Sequence, residues 1–284
     1  MNRRATRTRV FTSIGIAAAT ALAVVLSPGL SAQWFRYPTV GVPRTAAGAA
    51  DVNARSPRTA DGKPDLSGIW IGGHPLPCPE MLRDGADCAE KTPLPREAIN
   101  IGGDLPGGLP YQPWAADLVK RRMQDLGKDD PHARCLPPHF PRAYALPHLQ
   151  KFIQVPGLLI ILDEFNASYR QIFTDGRPLP VDPQPSWNGY SSGKWEGNTL
   201  VVETIGFRDG LWLDLNGNPM TDAARVTERF RRPNYGTLDI DITVNDPKAY
   251  TKPWTITMKE SIVVDTELVD EYCVENEKSS QRFK

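Results

Sequence analysis

The chain has 284 residues, 33 basic and 33 acidic side chains, 40% hydrophobic residues, 27 prolines and four cysteines. A formal charge of zero, with no basic stripe beyond Arg229, Arg231 and Arg232, excludes the usual electrostatics of a nucleic-acid binder, and those three arginines read as a solvated strand edge. The length suffices for one large domain with an extended arm.

Residues 1–32 combine a basic head containing Arg3, Arg4, Arg7 and Arg9, an uncharged stretch from Val10 to Leu26, and small residues up to Ala32. That order is the grammar of a secretory signal peptide. The apolar stretch is short for a membrane span, which takes about 20 residues, so no span is expected after cleavage. Arg3-Arg4 lacks the setting of a twin-arginine signal, which favours the general secretory route and a periplasmic or extracellular destination. All four cysteines, Cys78, Cys88, Cys135 and Cys273, follow the signal. An even number in an oxidising compartment favours disulfides. Four cysteines allow three pairings; the closeness of Cys78 and Cys88 favours joining those two, which leaves Cys135 for Cys273.

Residues 33–67 are rich in Ala, Arg, Pro, Thr and Gly without periodicity and read as an arm or linker, which makes an envelope protein a conceivable partner. Residues 68–147 form a proline-rich segment, opened by a short apolar strand after the Asp61-Gly62 turn. Within it, 113–126 spaces its apolar residues helically, with Pro113 in the first turn and Gly127 as a stop. From 148 to 284 the pattern becomes that of strands: 151–155, 158–165, 168–174, 190–195, 199–204, 225–231, 237–244, 255–263 and 267–274, each bounded by turn residues. The pair 190–195 and 199–204 flanks Glu196-Gly-Asn198 and predicts a β-hairpin. The fold class expected is mainly β, an antiparallel up-and-down barrel with a proline- and glycine-rich N-terminal segment and one or two helices, because so many meandering strands must protect their edges. A two-sheet sandwich is the alternative.

Three phrases, Ala60-Asp-Gly-Lys-Pro-Asp-Leu-Ser-Gly-Ile-Trp70, Trp195-Glu-Gly-Asn-Thr-Leu-Val-Val-Glu203 and Asp246-Pro-Lys-Ala-Tyr-Thr-Lys-Pro-Trp254, resemble those of a large family of secreted bacterial proteins of uncharacterised activity. The resemblance covers most of the chain after the signal and implies one coherent domain, with a barrel of calycin or lipocalin pattern. It implies no activity and no cofactor.

No Gly-x-Ser-x-Gly elbow, phosphate loop or His-Glu-x-x-His is present. The histidines, His74, His132, His139 and His148, are widely spaced and assign no metal site. Asp214-Leu-Asn-Gly-Asn-Pro219 places its glycine one position early for a calcium loop and reads as an Asx turn. More informative are polar and aromatic residues in or beside strands. Trp187, Trp195, Trp212, Tyr169, Arg170 and Arg225 are candidate ligand-binding residues; Glu203, Glu228 and Tyr169 are candidate catalytic residues. Tyr169 is placed toward the core on account of Ile172 and Phe173, whereas Arg225 and Glu228, an odd number apart, must face opposite sides. The reading that follows is an exported binder of a small hydrophobic or aromatic molecule held in a barrel lumen. The alternative is a hydrolase, lyase or isomerase of the same shape using a buried carboxylate.

Overall fold

Along Thr237–Asn245, Leu238, Ile240, Ile242 and Val244 are fully buried while the Asp and Thr residues between them are half-exposed. Period-two burial of this kind belongs to an antiparallel strand with one wet face. In the computed structural model, which describes residues 37–72 and 95–274 within one compact unit, nine strands of this kind close into a barrel.

In chain order the strands are β1 (Gly68–Gly72), β2 (Gln150–Val155), β3 (Leu158–Asp163), β4 (Tyr169–Phe173), β5 (Tyr190–Glu196), β6 (Thr199–Ile205), β7 (Leu211–Trp212), β8 (Pro219–Met220), β9 (Arg225–Arg231), β10 (Thr237–Asn245) and β11 (Trp254–Val263). The barrel runs β1 to β6, then β9, β10, β11 and back to β1, while β7 and β8 form a separate two-stranded hairpin. The predicted hairpin is β5–β6, with Trp195 opposite Leu200 and Gly197 at φ +61° in the turn, a conformation that costs glycine no Cβ clash. Among the described residues three α-helices lie outside the sheet: α1 (Arg96–Ile99), α2 (Pro113–Gln124) and α3 (Arg142–Ala145). The predicted helix is α2, with Pro113 at its first position.

Inward side chains stack in layers. The middle is packed by Trp70, Phe152, Ile161, Ile172, Val202, Phe230 and Ile240, with the rings of Phe152 and Phe230 edge-to-face at 6.4 Å. At one end a polar layer of Gln150, Asp163, Arg170, Ser191, Thr204 and Glu228 meets α3, all four of whose residues are buried. The other end is open between Trp195, Leu159 and Leu200.

Four features depart from the sequence reading. First, β1 belongs to the barrel, paired with both β2 and β11, although it precedes the 148–284 span expected to build it. Second, β4 and β5 pair in parallel over Ile172↔Ser191 and Phe173↔Ser192. The connection between them carries Pro178, Pro180, Pro183 and Pro185, and an extended proline-rich path of about 3.1 Å per residue returns the chain along the barrel before the next strand begins. Third, 267–274 is no strand: Glu271 makes an isolated bridge to Phe165, and its N–H and C=O pair with Glu164 and Asn166 at 2.8 and 2.6 Å. Fourth, the described part of the arm is docked. Tyr235 and Gly236 donate to the carbonyls of Ala54 and Val52 at 2.8 Å each, and the buried Arg232 reaches the carbonyls of Asp65 and Ser67 at 2.6 and 3.0 Å.

Cys135 and Cys273 form a disulfide across 138 residues of chain. The expected signal peptide, His74 and the Cys78–Cys88 pair lie outside the described residues. Closing so long a loop restricts the unfolded chain, so reduction should lower stability by roughly 2–5 kcal/mol. Urea denaturation of the oxidised and reduced protein, and of C135S/C273S, measures this; equal midpoints would show that the bond contributes nothing.

Candidate functional site

Strand periodicity decides which candidate residues enter the barrel. On β4, Arg170 and Ile172 share the inner face, so Tyr169, three residues from Ile172, points outward and is 63% exposed. This corrects the placement of Tyr169 toward the core. On β9, Val226, Glu228 and Phe230 point inward and Glu228 is 0% exposed, while Arg225 lies outside and pairs with the outward Glu203 at 3.0 Å. Arg225 and Glu228 therefore face opposite sides, as spacing requires.

Inside, Arg170 and Glu228 form a two-pronged ion pair, Nη1 to Oε1 at 2.9 Å and Nη2 to Oε2 closer still. Tyr144 of α3 donates its hydroxyl to Glu228 Oε1 at 3.0 Å and accepts from Arg170 Nη1 at 2.8 Å. Ser191 and Thr204 accept from Nη2 at 3.1 and 3.0 Å, and the Phe140 ring centroid lies 3.3 Å from the guanidinium carbon. Burial opposes the charge on Arg170, but Glu228 and Tyr144 outweigh it and hold its pKa above the ordinary value. Burial, reinforced by Glu228, raises the Tyr144 phenol well above its usual range. Such a saturated set is a closed polar plug, and the void beside it, lined by Phe140, Tyr144 and Arg170, holds only about 20 Å³, the volume of a single water. Removing one partner strands a buried charge, so E228Q should cost about 3–5 kcal/mol, and R170M/E228L much less than the two single changes summed. Urea midpoints of E228Q, R170M, E228L and R170M/E228L test this; additive losses would show that the pair is uncoupled.

Glu260 is the counter-case. On β11 it shares the inner face with Met258 and Ile262, is 1% exposed, and neither carboxyl oxygen has a hydrogen-bond partner. β1 ends at Gly72, directly opposite, where a Cβ would stand 1.6 Å from the Tyr144 carbonyl oxygen. Only glycine fits there. A cavity of about 570 Å³ runs past this position, bordered by Tyr144, Met258, Glu260, Thr237 and Glu97. Burial alone raises the Glu260 pKa well above 4.5, so the carboxyl is carried protonated. The unfolded chain loses this proton near pH 4.5 while the folded chain keeps it, so the contribution to stability is complete below pH 4.5 and falls as pH rises, by about 1.4 kcal/mol per unit until the folded group titrates. E260Q, which keeps a neutral side chain, should melt like the wild type at pH 4 and higher than it at pH 8; calorimetry at both values decides.

At the open end, Trp195 faces inward and is half-buried, as the register with Leu200 demands. With Leu159, Leu200 and Gln154 it borders a cavity of about 420 Å³, roofed by Thr59, Ala60 and Asp61 of the arm. The roof is tied down by Arg58 Nη1, which donates to Asn198 Oδ1 of the β5–β6 turn at 3.1 Å. The other tryptophans are elsewhere. Trp212 is buried outside the barrel under Arg122, 4.2 Å from its guanidinium carbon, and Trp187 carries Arg208 at 4.3 Å.

Histidines converge where the C-terminal segment meets the β3–β4 turn. His148, Glu164 and Glu271 each offer one ligand atom, all within 4.8 Å of one another. The ring of His132 lies 6.0 Å from that of His148, and Phe165 packs on both. Burial lowers the His132 pKa to about 4 and raises that of Glu164 to about 7 and that of Asp163 to about 6. His139, by contrast, sets Nε2 2.9 Å from the Trp212 carbonyl, and Asp214 caps its own turn through the Asn218 N–H at 3.1 Å. The position of Glu260 was readable from the period-two row Met258, Glu260, Ile262, whereas nothing in the sequence joins His148, Glu164 and Glu271. Comparison of the sequence with models of protein families and with curated proteins finds no match for this chain.

Proposed function

We propose that the protein binds a small apolar or aromatic molecule at the open mouth of its barrel, between Trp195, Leu159 and Leu200 and beneath the Thr59–Asp61 strap. The observation carrying this reading is the 420 Å³ cavity with an inward tryptophan at its wall, a size and lining suited to a small ligand. The middle of the lumen is occupied by Trp70, Phe152 and Phe230, so the ligand sits at the mouth and not along the axis. A disulfide between Cys135 and Cys273 favours an oxidising compartment and supports an exported binder. Among the described residues no helix is long and apolar enough to cross a membrane.

An acid–base enzyme needs a carboxyl oxygen free to meet substrate. Glu203 is on the outer face, both oxygens of Glu228 are engaged, and those of Glu260 are shielded from solvent. Of these three candidate carboxyls none offers an inward oxygen open to solvent, and the binder reading rests on the cavity at Trp195. Titration with anilinonaphthalene sulfonate, read by energy transfer from tryptophan, should show one saturable site that W195A weakens at least about tenfold, a loss of roughly 1.4 kcal/mol, with W187A unchanged and the circular dichroism of both variants retained. The absence of saturable binding, or equal affinity in W195A, would overturn the reading.

A further inference from the structure

We propose that His148, Glu164 and Glu271 form a binding site for a divalent transition-metal ion, with Zn²⁺ as its simplest probe. This site is independent of the barrel mouth. Its three ligand atoms lie within 4.8 Å of one another; tetrahedral zinc with bonds of about 2.0–2.2 Å sets its ligands roughly 3.3–3.6 Å apart, so rotamer adjustments that close the widest separation by about 1 Å complete the site.

Three chain segments meet here, and their backbones are already fixed. Glu164 donates its N–H to the Leu149 carbonyl at 3.1 Å, while the Leu149 N–H is held by Glu164 Oε1 at 2.6 Å, which orients that carboxylate and leaves Oε2 for a ligand. Glu271 donates to the Glu164 carbonyl at 2.8 Å and accepts from the Asn166 N–H at 2.6 Å. Asn166 then joins the two halves of the disulfide, donating to the Cys135 carbonyl at 2.8 Å and accepting from the Cys273 N–H at 3.2 Å. Ordering the ligands therefore costs little on binding.

The charge is unbalanced. Among the described residues, neither Glu164 nor Glu271 pairs with a lysine or arginine; Glu271 has only His148, its Oε2 3.5 Å from Nδ1, beyond the usual hydrogen-bond range. At the edge of the group, the Nδ1 of His132 is buried without a partner. A cation at the centre would supply the missing positive charge. One imidazole nitrogen with two carboxylate oxygens selects an ion of the zinc or manganese kind over calcium, which takes six to eight oxygens.

Isothermal titration of the tag-free, oxidised full chain with Zn²⁺ should show one saturable site, and with Ca²⁺ none. H148A and E271Q should each lower zinc affinity at least about tenfold, the scale seen even for groups one shell further from a metal, without altering circular dichroism. Removing the disulfide without leaving thiols, in C135S/C273S, should weaken zinc binding in the otherwise wild-type chain and leave the residual binding of E271Q unchanged. A chain that takes up no zinc, or one whose H148A and E271Q variants bind it like the wild type, would overturn the proposal.

Discussion

The structure depends on how the barrel is closed. Strand β11 would leave a bare edge, and an unpaired edge of that length invites association with other chains. Five residues, Gly68–Gly72, fill the gap by pairing with β11 on one side and β2 on the other. Both ends of the molecule follow from that choice. Residues immediately before β1 must cross the barrel rim to reach it, which lays Thr59–Asp61 over the mouth next to Trp195. At its other end Gly72 stands opposite Glu260, where the absence of a side chain lets the Tyr144 carbonyl approach the strand.

Two inward carboxyl groups within one barrel show how partners set charge. Glu228 meets the Arg170 guanidinium with both oxygens and the Tyr144 phenol with one, so each oxygen has a donor. Glu260 stands opposite Gly72, and neither of its oxygens has a hydrogen-bond donor. An unpartnered carboxylate at that depth would cost far more than the chain's net stability, whereas a neutral carboxyl costs only its missing hydrogen bonds. Burial is the same for both; what differs is the set of partners each carboxyl meets.

Much of this fold is legible in the sequence because its signals are local. The β5–β6 hairpin needs only Gly197 and Asn198 between alternating strands, and α2 needs only Pro113, an apolar stripe and Gly127. Face assignments succeed where period two is applied strictly, as for Arg225 and Glu228. The assignment of Tyr169 fails because its neighbours Ile172 and Phe173 lie on opposite faces, and only one of them can share its side. What stays hidden is nonlocal. Nothing within Gly68–Gly72 says that its partners lie about 80 and 190 residues away, a distance whose entropy is recovered only by the closed sheet. The grouping of His148, Glu164 and Glu271 is likewise produced by three chain segments meeting beside a disulfide.

The same closure divides the arm into a fixed part and a strap. Leu66 is fully buried, its N–H is held by Gln154 at 2.8 Å, and its carbonyl accepts from the Trp70 indole at 3.0 Å. Arg232 grips the carbonyls on either side of it, those of Asp65 and Ser67. Moving that part would open the barrel. Thr59–Asp61 is different: its turn closes on itself through Gly62 and Lys63, and its bond to the β5–β6 hairpin comes from exposed Arg58. An exposed bond of that kind is worth about 1 kcal/mol, far less than the packing behind Leu66. The turn beside Trp195 and the segment that fixes β1 are therefore held by separate contacts, the first by one exposed hydrogen bond and the second by the packing around Leu66.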